Sequence, residues 1–165
     1  MKYLEKKYRT NSFKLALEIL TKSSAPKEKE VINTHYYAQK EGNDVVKLVV
    51  FADRSEIHTL TETQGKYTLT QKISVTNIGS GIQWLKDRGY KKVDVVKMAY
   101  TDYEYKGGLI GLYIINDSFY SIILDFPNGQ HEDMEKEFGL SPDDVITMPY
   151  NKYLEKIDKS KSISI

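Results

Sequence analysis

The feature that most constrains this chain is a series of β-prone runs joined by very short turns. Lys92–Tyr105, Leu109–Asn116 and Phe119–Phe126 are separated only by Lys106-Gly107-Gly108 and Asp117-Ser118, and Ile57–Thr63 meets Lys66–Val75 across Gln64-Gly65. Val31–Gln39 and Val45–Phe51 are joined in the same way by Glu41-Gly42-Asn43-Asp44. Connections this short serve antiparallel neighbours, because a parallel pair needs a crossover of about a dozen residues or more. Helical periodicity falls between these groups of strands. Phe13, Ala16, Leu17 and Leu20 recur at i, i+3, i+4 and i+7 and predict a helix through Lys22, capped by Asn11 or Ser12. Ile82, Trp84 and Leu85 predict a short helix over Gly81–Arg88 with Trp84 in the core, opened by Asn77 or Ser80 and closed by Gly89. His131–Phe138 predicts another, with Glu132, Asp133, Glu135 and Glu137 as its solvated face, and Ser141-Pro142-Asp143-Asp144 is a helix start that Pro149 soon interrupts. Ser23–Glu30 reads as a loop, and the residues after Asp158 as a fraying end. The expected class is α+β: an antiparallel sheet closed into a barrel or tunnel, helices packed outside, one domain over residues 1–158 and a frayed tail at 159–165.

Charge and composition limit what such a sheet can serve. The chain has 165 residues, a size that suits one domain with a real core. Lys+Arg number 24 against 23 for Asp+Glu, so no global field steers the protein to nucleic acid or membrane, and any basic site is local. The absence of Cys excludes disulfides, thiolate metal sites and a cysteine nucleophile. No stretch approaches the ~18 apolar residues of a membrane span. A soluble, cytoplasmic protein is expected, with no membrane or nucleic-acid partner.

The polar residues sort by strand face. Odd and even side chains of a strand point to opposite sides, so Tyr3, Glu5, Lys7 and Arg9 share one face of the first strand. Lys66, Thr68, Thr70, Lys72 and Ser74 share one face of Lys66–Val75, Lys47 interrupts the apolar run Val45–Phe51, and Lys97 and Asp125 fall within later strands. Alternation of this kind also serves a plain solvated face. Its recurrence on several strands favours a wet interior, where such groups need not be buried in an apolar core. Bases outnumber acids among them, which suits an anion of several charges, and the few carboxylates suit Mg²⁺ or Mn²⁺ shared with phosphate oxygens. No Gly-x-x-x-x-Gly-Lys-Ser/Thr loop occurs, and strands do not alternate with helices, so a P-loop fold is excluded. His35 has no second histidine at ligand spacing and reads as structural.

Taken in order, these segments resemble the CYTH, or triphosphate tunnel metalloenzyme, family, which includes class IV adenylate cyclases, thiamine triphosphatases and inorganic triphosphatases. The likeness runs from Tyr3 to Leu154. The family's opening Glu-x-Glu-x-Lys resembles Tyr3-Leu4-Glu5-Lys6-Lys7, its Asp-x-Tyr-Tyr-Asp resembles Thr34-His35-Tyr36-Tyr37-Ala38, and its Arg-x-Arg resembles Lys47-Leu48-Val49. Leu69-Thr70-Gln71-Lys72 keeps its Leu-Thr-x-Lys, and Leu85 to Tyr90 resembles its Leu-x-x-x-Gly-Phe helix end. Lys97-Met98-Ala99 stands for Lys-x-Arg, Ile123-Leu124-Asp125 for the closing Glu-x-Glu, and Tyr150 to Leu154 for the terminal Tyr-containing helix. The resemblance implies Glu5 and Asp125 as catalytic and metal-binding acids, and Lys7, Arg9, Lys47, Lys72, Lys97, Tyr3 and Tyr37 as ligand contacts. It departs from the family at Tyr3, Thr34, Ala38, Val49, Ala99 and Ile123, which remove carboxylates and arginines. Metal-assisted phosphate chemistry needs those carboxylates, whereas binding needs mainly the lysines. The expectation is therefore a small phosphorylated ligand, a nucleotide or triphosphate, bound in a Lys-lined tunnel with weak Mg²⁺ or Mn²⁺ and weakened catalysis. A metal-dependent triphosphatase or cyclase is the alternative, and a scaffold that binds protein on its outer surface is the third.

Overall fold

The computed structural model describes residues 2–39, 44–64 and 66–165. The expected turns at Glu41-Gly42-Asn43 and at Gly65 lie outside the described residues. The elements, in order, are β1 (Tyr3–Thr10), α1 (Lys14–Lys22), β2 (Lys27–Ala38), β3 (Asp44–Val50), β4 (Ser55–Thr63), β5 (Lys66–Val75), α2 (Ile78–Asp87), β6 (Lys92–Tyr105), β7 (Gly108–Ile115), β8 (Phe119–Pro127), α3 (His131–Glu137), β9 (Val145–Ile146), α4 (Tyr150–Lys156) and β10 (Ser162–Ser164). The class is α+β, and the hydrogen-bonded path runs β5-β4-β3-β2-β6-β7-β8-β1-β9, with β10 beside β6. Every hairpin pairing of β2 to β5 and of β6 to β8 is antiparallel, as the short turns require. The closed barrel expected from the sequence is not formed by this ladder: among the described residues its path ends at β5 and at β9, and β9 offers only two residues for pairing.

The chain divides into two compact units, one of Met1–Val31 with Met98–Pro149, the other of Ile32–Lys97 with Tyr150–Ile165. In the first, β8 pairs antiparallel with both β7 and β1. The even residues Tyr8, Ile110, Leu112, Ile122, Leu124 and Phe126 form its core with Ala16 and Leu20 of α1 and Met134 of α3. Burying such aliphatic and aromatic side chains contributes about 1.5–3 kcal/mol each, which fixes which sheet face the helices cover. Glu135 and Glu137, expected on a solvated face, instead serve this packing. Tyr8 donates to Glu135 Oε1 at 2.5 Å, and Tyr105 and Lys106 both donate to Glu137. A buried phenol needs an acceptor, and the acids supply it.

In the second unit, Leu85 of α2 is buried with Val46, Leu48 and Ile57 of β3 and β4, and Ile82, Trp84 and Ile73 pack against them partly buried, so Trp84 borders the core expected to enclose it. Asn77 Oδ1 accepts from Ser80 N at 2.9 Å, which starts α2 at Ile78, three residues before the expected Gly81. The tail expected to fray at 159–165 forms β10 instead: Ser162, Ile163 and Ser164 pair with Asp94, Val93 and Lys92, and Ile165 packs on the core. The reason is Asp94, a carboxylate 2% exposed that needs donors and takes them from Gln39 Nε2 at 2.5 Å, Asn151 Nδ2 at 3.4 Å and the Ser162 hydroxyl.

Candidate functional site

Each unit turns a polar sheet face away from its helix-covered one. In the first unit that face carries the odd residues of β1 and β8 and the even residues of β6. Glu5 lies directly opposite Asp125, Lys7 opposite Ile123 and Arg9 opposite Ser121. Asp102 joins them from β6 and was not singled out by the sequence. Its neighbour in the ladder is Gly111, where a Cβ would sit 2.8 Å from Asp102 Oδ1, so glycine leaves the room the carboxylate occupies. Burial pushes the Asp102 carboxyl up, Lys29 at 3.6 Å pulls it down, and Glu28 and Asp125 add to the upward push. Lys7 donates to the Met148 carbonyl at 2.7 Å. Burial holds its ammonium below the usual lysine range, and Glu5 opposes that. Tyr3 is half exposed and donates to the Gly107 carbonyl at 3.1 Å. The Arg9 guanidinium lies 5.8 Å from the Phe119 ring and borders a cavity of about 570 Å³ beside the start of α1.

The second unit brings Tyr37, Lys47 and Lys72 into one row with a residue the sequence reading missed. Tyr37 faces Lys47, Lys47 faces His58, and His58 faces Lys72, across β2, β3, β4 and β5. Neighbouring strands are about 4.8 Å apart, so these side chains are adjacent. Lys47 Nζ stands 5.1 Å from the Tyr37 ring centroid, and burial pushes the Tyr37 phenol up. The next row holds His35 and Glu56. His58 Nε2 is 2.7 Å from Glu56 Oε2, and Arg54 Nε donates to Glu56 Oε1 at 3.0 Å. The hydrogen bond with His58, opposed by burial and helped by Arg54 and Lys72, keeps the Glu56 carboxyl below its ordinary range. The signal that could have found this pair is Glu56-Ile57-His58 itself, two polar residues flanking an apolar one at strand spacing.

Two expectations change. The polar face of β5 is not continuous, because the ladder slips between Thr59 and Leu60: Thr59 pairs with Gln71 but Leu60 with Leu69. Thr70 is the extra residue and bonds Thr59 O and Thr61 Oγ1, both at 3.2 Å. A bulge shifts side-chain parity, so Lys72 and Ser74 stay with His58 and Glu56 while Thr68 passes to the other face. Lys97 is exposed and shares the odd side of β6 with the core residue Val93, opposite the side that carries Asp94.

No family model matches the sequence, and no curated protein matches it. Among solved structures, the PH1012 protein of Pyrococcus horikoshii OT3 superposes with a TM-score of 0.72 at 17% identity, over 90% of this chain and 97% of that one. A candidate adenylate cyclase from Vibrio parahaemolyticus gives 0.68 at 12% identity over 93% and 97%. One from Bacillus halodurans gives 0.62 at 12% over 93% and 98%. The fold is CYTH-like. In this CYTH-like sheet Glu5 and Asp125 are the facing carboxylates, and among the described residues no three His, Cys, Asp or Glu form a group able to hold a metal. Two carboxylates suit Mg²⁺ or Mn²⁺ that keeps waters and borrows phosphate oxygens, and fall short of an all-protein cage. No helix among the described residues is long and apolar enough to cross a membrane.

Proposed function

We propose that this CYTH-like chain binds a small phosphorylated anion, a nucleotide or a triphosphate, on the Lys-lined sheet face of its second unit, with catalysis weakened. The observation that carries the reading is the adjacency of Lys47, His58 and Lys72 on one sheet face, with Tyr37 at the end of the row. Two lysines flanking a histidine, with no carboxylate in register between them, form an arrangement that an oligophosphate stabilises by charge-assisted hydrogen bonds. The polar face of the first unit carries its own charges, Lys7 and Arg9 beside Glu5 and Asp125, and those two carboxylates would hold Mg²⁺ or Mn²⁺ weakly. Such an ion would neutralise phosphate charge there; on the second unit the lysines themselves bind and orient. The partner is a small molecule rather than a membrane or a nucleic acid, in a cytoplasmic setting.

The test is a ligand screen by melting shift with inorganic triphosphate, thiamine triphosphate, ATP and cyclic nucleotides, with and without Mg²⁺ or Mn²⁺. At least one should raise the melting temperature, and Lys72→Ala should weaken its binding by about 1.5–3 kcal/mol. No shift with any of them, or unchanged affinity in both Lys72→Ala and Lys47→Ala, would refute the reading. The second reading, a metal-dependent triphosphatase or cyclase, is favoured by one observation: Glu5 and Asp125 remain directly opposed, with Asp102 close enough to sense Asp125.

A further inference from the structure

His58 differs from its neighbours in the row because it can present either a lone pair or a proton to an anion. Which nitrogen does so is set by Glu56. An ionised carboxylate only accepts hydrogen bonds, so the 2.7 Å contact places the hydrogen on His58 Nε2. Arg54, at 3.0 Å from the other Glu56 oxygen, keeps that carboxylate ionised and oriented. The neutral ring is then left with a lone pair on Nδ1, which repels an anion, and only the imidazolium has an Nδ1–H to donate.

The groups that surround the ring are all on the same face. Lys47 faces it from β3 and Lys72 from β5, His35 and Tyr37 lie beyond Lys47 on β2, and Glu56 and Arg54 stand on or just before its own strand. His35 is held neutral, first by burial and then by Lys47 and His58, so it does not compete for the proton. An anion seated on Lys47 and Lys72 brings negative charge beside His58, and that favours the imidazolium over the neutral ring.

We propose that His58 is a proton-linked contact for the ligand: binding draws a proton onto Nδ1, which then donates to the anion, while Arg54 and Glu56 act as positioning residues that fix the other nitrogen. This rests on the reading that the row binds a phosphorylated anion, and it adds that one of the three cations of the row is made by the ligand itself.

The experiment is calorimetric titration of inorganic triphosphate near pH 7.5 in buffers of different ionisation enthalpy, which reports protons taken up on binding. The ligand's own protonation contributes to both wild type and His58→Gln and drops out of the comparison. Wild type should take up at least about half a proton more than the variant. His58→Gln should bind more weakly than wild type near pH 6.5, and the gap between the two should narrow as the pH is raised to 8.5. Should His58→Gln fail to fold, the imidazole resonances of wild type carry the test: triphosphate near pH 7.5 should move the His58 signal toward its imidazolium position. Equal proton uptake in the two proteins, or an unmoved His58 resonance while triphosphate binds, would overturn the proposal and leave the binding function standing. Wild type that binds no phosphorylated ligand would overturn the function itself, and the proposal with it.

Discussion

Replacing His35 by Gln should flatten the acid side of the protein's stability profile. His35 is 8% exposed, its Nε2 lies 3.1 Å from Asn33 Oδ1, its Nδ1 has no hydrogen-bond partner among the described residues, and its ring stacks on Tyr37 at 5.8 Å. Burial first, then the charges of Lys47 and His58, hold its imidazolium well below the ordinary histidine range. An unfolded histidine takes its proton near pH ~6.5. Below that pH the unfolded chain gains a proton that folded His35 refuses, so stability falls as pH falls, with a slope approaching about 1.4 kcal/mol per pH unit. Integrated to pH 5, this linkage removes about 2 kcal/mol relative to pH 8, provided folded His35 is still neutral there. The raised carboxyl of Asp102 works in the opposite sense, regaining stability as the pH falls, but it is present in both proteins and cancels in the comparison. The Gln amide can still donate to Asn33 and carries no titration. Urea unfolding of both proteins at several pH values between 5 and 8 measures the difference. Relative to its own stability at pH 8, the variant should lose about 2 kcal/mol less than wild type by pH 5. A difference that does not change with pH would show that folded His35 titrates like an unfolded one, and the argument from burial would fail.

Gly81→Ala should destabilise the protein by about 1 kcal/mol, because overpacking costs about 1–3 kcal/mol and helix propensity returns about 1. The new methyl would stand 2.5 and 2.8 Å from the Leu48 methyls. Urea unfolding of the single variants and of Gly81→Ala with Leu48→Ala should show coupling of at least about 0.5 kcal/mol, and additivity would refute the clash. Hydrolysis of inorganic triphosphate with Mn²⁺ should be slow or undetectable by phosphate release, and Tyr3→Glu, two residues from Glu5 on the same side of β1, should raise Mn²⁺ affinity. Rapid turnover by the unmodified protein, abolished by Glu5→Gln, would establish the enzyme reading in place of weakened catalysis.

Much of this was legible from local pattern, with telling exceptions. The expected strand Lys92–Tyr105 matches β6 residue for residue, because a long β-prone run bounded by Gly89 and by Lys106-Gly107-Gly108 leaves little choice. Lys27–Glu30, a charged loop to the eye, is instead the start of β2: Glu104 of β6 donates its N–H to the Pro26 carbonyl at 2.9 Å just before it, and a ladder partner overrides composition. Which sheet face a residue takes was legible where a single strand declares its parity, as with Glu5 and Lys7, and the family resemblance singled out Lys47 and Lys72, which the ladder places in one candidate row with His58. Glu56, His58 and Asp102 escaped because their meaning lies in what stands opposite them.

The amino-acid sequence by itself determined the class of the fold, the antiparallel order within its hairpins, the helix face of α2, the buried Ala16 and Leu20 of α1 though not the exposed Leu17, and the excess of lysine over carboxylate on the polar strand faces. These follow from side-chain period and turn chemistry, which act over a few residues. Tertiary structure alone decided the register that sets Lys47, His58 and Lys72 side by side, the bulge at Thr70 that ends that face, the hold of Glu56 on His58, and the capture of Ser162 by Asp94. A bulge or slip of one residue turns every later side chain of a strand to the other face, and whether one occurs depends on the packing of residues far apart in the chain.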